Sequence, residues 1–110
     1  MKVIIVDDDL FFHTHLKQMI SWEVEGFTIC GSAVNGTEAL RLMATVSPDL
    51  MITDMNMPGI NGVSLIQQII KNYPRVKVIA LSAYNDFEYV KQSLKMGAVD
   101  YLLKHMLTPG

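Results

Sequence analysis

The sequence has a single cysteine, no apolar run long enough to cross a membrane, no glycine-rich loop behind its first apolar segment and no excess of positive charge. Each lack removes a class of function. Cys30 lies in the apolar stretch FTIC, which suits a buried, reduced thiol of a cytosolic protein better than a disulfide or a metal site. Nine basic against eleven acidic residues give a net charge of −2, so no basic surface advertises nucleic acid or an anionic membrane, and the segment is not expected to bind DNA alone. The opening MKVIIVDDD is too short in its apolar part for a signal peptide or a membrane span, and a cytoplasmic protein with no membrane partner is expected. Repeats, linkers and low-complexity runs are missing too. With 110 residues and 50% hydrophobic content, one packed domain over residues 1–110 follows.

What the chain does have is alternation. Short apolar runs at Lys2–Val6, Phe27–Ser32, Leu50–Thr53, Lys77–Leu81 and Tyr101–Leu103 read as strands, and their lack of polar alternation makes most of them buried on both faces. Between them Phe12, Leu16, Met19 and Ile20 recur at helical spacing, as do Ile66, Ile69, Ile70 and Tyr73. Leu40, Met43 and Ala44 mark a helix after Asn35 and Gly36; Phe87, Val90 and Leu94 mark another that Asp86 caps and Gly97 ends. Strand, helix, strand with short connections gives a parallel sheet with right-handed crossovers and helices on both faces. The eight methionines form no stripe and read as core filling. His13 and His15 are offset by two on a helix, which turns their rings apart and argues against a metal site.

In a parallel sheet the carboxyl ends of the strands share one edge, where ligands bind. The first strand delivers Asp7, Asp8 and Asp9 there, the third Asp54, the fourth Ser82 and the fifth Lys104. Clustered carboxylates repel one another unless a cation sits among them, and Asp7, Asp8 and Asp54 imply a hard divalent ion. Magnesium fits a site with few carboxylates that shares coordination with water and phosphate oxygens; no EF-hand loop is present for calcium. A hydroxyl and an ammonium complement a phosphoryl group, and an aspartate is a known nucleophile toward one. The edge reads as a site that transfers phosphate onto its own Asp54.

These residues resemble the response-regulator receiver domain (CheY-like): VDDD after strand one, TDMNMPGINGVSL after strand three, LSAY after strand four and DYLLK at strand five, together covering nearly the whole chain. The resemblance implies a flavodoxin-like, doubly wound, five-stranded parallel sheet in the order 2-1-3-4-5. It implies that Asp54 is the phosphoacceptor for a sensor histidine kinase, that Asp8 binds Mg2+ directly and Asp7 through water, and that the backbone carbonyl of Asn56 adds a ligand. It also makes Ser82 the switch hydroxyl, Lys104 the cation that pairs with the phosphoryl group, Tyr101 the aromatic that answers Ser82, and Asp9 a cap outside the metal pair. Phosphorylation would switch an output surface, with a homodimer possible on activation. WEVEGF and YNDFEYVKQSLKMGAVDYLLK further resemble receivers joined to AraC-type helix-turn-helix output domains, so DNA would be reached only through a domain outside this chain.

Rival functions remain. A flavodoxin-type nucleotide binder would need glycines and free amides where DDDLFF stands. A Mg-dependent phosphatase with an aspartyl nucleophile shares the chemistry, but it would normally carry an acid where Asn56 stands. A degenerate receiver would act only as an interaction module. Under the receiver reading the chain is no enzyme beyond its own phosphorylation and dephosphorylation, whose lifetime Asn56 and Tyr84 are expected to tune. His105 replaces a proline usual in the family, and a trans Lys104–His105 bond is expected. KHMLTPG stops where the resemblance calls for a fifth helix, without which part of the apolar strand surface at Leu50–Thr53, Lys77–Leu81 and Tyr101–Leu103 would face water; the chain is therefore expected to be the N-terminal part of a longer regulator or to cover that surface by self-association, the alternative being a shortened, monomeric receiver.

Overall fold

The apolar runs fold as parallel strands joined by helices: β1 (Lys2–Val6), α1 (Leu10–Met19), β2 (Thr28–Ala33), α2 (Gly36–Val46), β3 (Leu50–Asp54), α3 (Gly62–Asn72), β4 (Lys77–Ser82) and β5 (Asp100–Leu103). The structure, a computed structural model, describes residues 1–19, 22–55, 62–82, 91, 94–95, 97–98 and 100–103, with backbone alone at 19, 62–63, 82 and 100–103. The five strands lie in the order β2-β1-β3-β4-β5, every pair parallel, the order expected of a flavodoxin-like sheet. Among the described residues no helix is long and apolar enough to cross a membrane.

Strand periodicity divides the core into two clusters. Ile4 and Val6 of β1, Met51 of β3 and Val78 and Ala80 of β4 pack with Ala39 and Met43 of α2 and Leu65, Ile66 and Ile69 of α3. Val3 and Ile5, Leu50 and Ile52, and Leu81 cluster with Phe12 and Leu16 of α1 and with Trp22. The central strands are therefore buried on both faces, and β3 is buried along its whole length. Apolar strand surface facing water is consequently not found at Leu50, Ile52 or Leu81, where Phe12, Leu16 and Trp22 share the cluster; Ile79 is half-buried. The Trp22 indole N–H donates to the Leu16 carbonyl at 3.1 Å and its ring meets Phe27 edge-on at 6.0 Å, which ties the turn after α1 to that face. The place where a fifth helix is due falls on 104–110, outside the described residues.

β2 has the edge position that the order 2-1-3-4-5 gives it, but its side chains are not buried on both faces: Thr28, Cys30 and Ser32 are exposed and only Ala33 is fully buried. Cys30 is thus an exposed thiol rather than a buried one; its Sγ–H lies 3.4 Å from the Thr28 carbonyl oxygen. It falls where the pairing with β1 slips by a residue, since Val3 faces Ile29 but Ile4 faces Gly31.

Helix ends follow their local chemistry. Asn35 stands in extended conformation before α2, its Oδ1 accepting from the Glu38 N–H at 2.9 Å while Glu38 Oε2 accepts from the Val34 N–H at 3.2 Å. Residues 91, 94 and 95 are helical and Gly97, at φ +117°, donates its N–H to the Leu94 carbonyl, the expected helix end; the expected cap Asp86 lies outside the described residues. Replacing Asn35 by Ala removes one side of this reciprocal pair and should lower stability by about 1 kcal/mol. Chemical denaturation should show it as a lower midpoint with an unchanged slope.

Candidate functional site

Register brings the acids together. Val6 pairs with Thr53 across β1 and β3, so Asp7 and Asp54 are the next residues on adjacent strands. The ladder continues past both: the Asp7 N–H donates to the Ala33 carbonyl and the Met55 N–H to the Leu81 carbonyl, each at 2.9 Å. Asp7 is fully buried, Asp54 is 4% exposed and Asp8 is exposed at the mouth of the site. One carboxylate oxygen from each of the three lies within 4.8 Å of the others, and among the described residues this is the one cluster of ligand-type side chains able to hold a metal ion.

The third acid of the run has a separate task. Asp9 Oδ1 accepts from the Phe11 and Phe12 N–H groups at 3.0 and 3.4 Å, which makes it the N-cap of α1, as its position outside the metal pair implied. The Asp9 N–H in turn donates to Asp7 Oδ1 at 2.9 Å, so the turn that starts the helix also fixes the buried acid. Thr53 is buried beside Asp54, its hydroxyl donating to the Asp54 carbonyl at 3.1 Å.

The donor set fits a hard cation. Three carboxylates offer oxygen only, and two of them are withdrawn from water. Two unit charges at such a separation repel by about 3 kcal/mol at an effective dielectric of about 20, a cost that a divalent ion would reverse. With several positions left for water or phosphate, the set suits Mg2+ better than a calcium cage.

Ser82 is the last residue of β4, one beyond the Leu81 that pairs with Asp54, and Leu103 pairs with Ser82 at the end of β5. The backbone therefore brings Asp7, Asp54 and Ser82 to one sheet edge, while Tyr101 sits further back, opposite Ala80. The side chains of Ser82 and Tyr101, and all of Asn56, Tyr84, Lys104 and the Lys104–His105 bond, lie outside the described residues.

One neighbour escaped the sequence reading, which weighed His13 only as half of a metal pair. His13 is 4% exposed and its Nε2 lies 2.7 Å from the carbonyl oxygen of Asp7, whereas His15 is half-exposed on another face. The legible signal was its place one helical turn after the cap Asp9, whose carbonyl accepts the His13 N–H at 3.3 Å.

The sheet order, the acid cluster and the chain's relatives agree. Residues 3–109 match the response regulator receiver domain family, and the chain belongs to it. A response regulatory protein of Staphylococcus epidermidis is 46% identical over 103 residues, 94% of this chain and 40% of that protein. The transcriptional regulatory protein DegU of Brevibacillus brevis is 38% identical over 106 residues, 96% of this chain and 44% of that protein. The chain thus spans about two fifths of the length of these curated relatives. The receiver (REC) domain of AraT, a response regulator of Geobacillus stearothermophilus, superposes with a TM-score of 0.89 at 27% identity, over 96% of this chain and 85% of that one.

The division of labour among the acids is open to test. Asp9→Ala should cost about 1 kcal/mol of stability and leave Mg2+ affinity unchanged, because it removes a cap and no ligand. Asp8→Ala should do the reverse: little change in melting, and loss of Mg2+ binding by calorimetric titration.

Proposed function

We propose that the chain accepts a phosphoryl group on Asp54 from a histidine kinase in a Mg2+-dependent reaction and thereby switches an output surface in a transcriptional regulator. The observation that carries this reading is the convergence of the Asp7, Asp8 and Asp54 carboxylates at the carboxyl edge of the sheet. An Asp54 oxygen forms the new P–O bond as the P–N bond of the donor phosphohistidine breaks, and the histidine nitrogen leaves with the electron pair. Asp7, Asp8, Asp54 and the Asn56 carbonyl would hold Mg2+, which when bound neutralises charge on the phosphoryl oxygens. Lys104 supplies a second positive charge and Ser82 a hydrogen-bond donor to the same oxygens. The chain's own part is to hold Asp54 fixed at the end of a buried strand, and it turns over no substrate beyond its own phosphoryl group.

These new contacts exist in one conformational state only, so phosphorylation biases a pre-existing equilibrium. The output face is the fifth strand around Tyr101 with the helix before it, and a homodimer through that face would carry the signal to a DNA-binding domain outside this chain. The similarity of WEVEGF and the segment from Tyr84 to Lys104 to receivers of AraC-type regulators supports a helix-turn-helix output, and the names of relatives such as DegU support transcription control.

Incubation with acetyl phosphate and Mg2+ should add one phosphoryl group by intact mass, with none added after chelation or in Asp54→Ala. Labelling that persists in Asp54→Ala would sink the assignment. Beryllofluoride with Mg2+ should shift the amide resonances of β5, and an unchanged β5 would separate phosphoryl acceptance from switching. Tyr84, two residues beyond Ser82, is placed in sequence to shield the acyl phosphate from water, so Tyr84→Ala should shorten the phosphoryl half-life. An unchanged half-life leaves that residue no such role.

A further inference from the structure

We infer that His13 is a positioning residue of the carboxylate site, its Nε2–H holding the carbonyl of Asp7 so that the peptide leading into Asp8 is fixed. The inference rests on the cation reading of the preceding section and adds to it a residue that does not touch the ion.

A carbonyl oxygen only accepts, so the 2.7 Å contact requires the proton on Nε2. Nδ1 is buried and has no hydrogen-bond partner. A buried polar atom left bare costs about 1–3 kcal/mol, a penalty that an apolar side chain of similar size would avoid. What such a side chain would lack is the bond to Asp7. That bond acts on the far side of Asp7 from two of its other contacts. The Asp7 N–H is held by Ala33 and its Oδ1 by the Asp9 N–H, and both contacts lie before the peptide that joins Asp7 to Asp8. The Asp7 carbonyl belongs to the same plane as the Asp8 N–H, so holding it fixes the direction in which the chain enters Asp8. Asp8 is the exposed member of the cluster and stands on a turn, where a small rotation of that plane swings its carboxylate away from Asp7 and Asp54. Mg2+ tolerates little departure from octahedral geometry, so such a rotation translates into lost affinity.

The experiment compares Mg2+ titrations of the wild-type chain, His13→Phe and His13→Gln, with 15N spectra of the His13 ring and melting of the metal-free proteins. His13→Phe keeps the ring shape and removes the donor, and Gln restores an N–H at a similar reach. The expected results are a wild-type ring carrying a proton on Nε2, affinity about tenfold lower in His13→Phe, at the low end of what outer partners of metal ligands cost, and recovery in His13→Gln. A merely structural histidine would lower the melting temperature of His13→Phe while leaving Mg2+ affinity intact. That result, or a ring with no proton on Nε2, overturns the inference. Should His13→Phe fail to fold, His13→Ala takes its place: weaker Mg2+ binding in a folded His13→Ala with recovery in His13→Gln supports the role, and equal affinity in His13→Ala and the wild type overturns it. Failure of the wild-type chain itself to bind Mg2+ overturns the cation reading and this role with it, and is told apart because all three proteins then fail alike.

Discussion

The register in which β1 lies against β3 is the constraint on which the site depends. Pairing Val6 with Thr53 makes Asp7 and Asp54 neighbours without any long-range loop having to find its place. A slip of one residue would send one of the two carboxylates to the opposite sheet face, because side chains alternate along a strand. That slip is opposed by the core. Val3 and Ile5 belong to one apolar cluster and Ile4 and Val6 to the other, so every residue of β1 after Lys2 would change environment at once. The hydrophobic core thus sets the geometry of a polar site at its edge.

The same arrangement explains how acids persist at the end of buried strands. Asp7 is fully buried, yet the ladder bond from its N–H and the Asp9 N–H on its carboxylate satisfy part of its polar surface. Three adjacent aspartates are divided among different tasks: Asp7 and Asp8 face Asp54, while Asp9 caps α1. The cap places α1 over the cluster of Phe12 and Leu16, and the His13 ring on the next turn reaches back to Asp7. Helix start, apolar packing and acid placement are in this way one local structure.

Much of this was legible in the sequence, for identifiable reasons. Runs such as KVIIV and LMITD lack polar alternation and end in acids, so both their burial and their functional ends could be read directly. Cys30 was misread because burial was taken from its apolar neighbours in FTIC, although the expected order 2-1-3-4-5 already places β2 at the sheet edge. What covers Leu50, Ile52 and Leu81 was not legible: the strand face expected to need a fifth helix shares its cluster with Phe12 and Leu16 of α1 and with Trp22, which no periodicity within the strands announces. His13 was passed over because its partner is a backbone carbonyl, which no residue type marks; only its place one turn after the cap Asp9 pointed toward the site.

The central claim is that the carboxylate cluster at the strand ends is a divalent-cation site. Substituting Mn2+ for Mg2+ and recording amide NMR spectra tests it directly, since a paramagnetic ion broadens signals according to distance. Broadening should centre on Asp7, Asp8, Asp54 and Met55 and be relieved by excess Mg2+. Lys2, Asp49 and Lys77, joined by hydrogen bonds at the opposite edge of the sheet, should stay sharp. Broadening centred elsewhere, or none at all at millimolar Mn2+, would contradict the account.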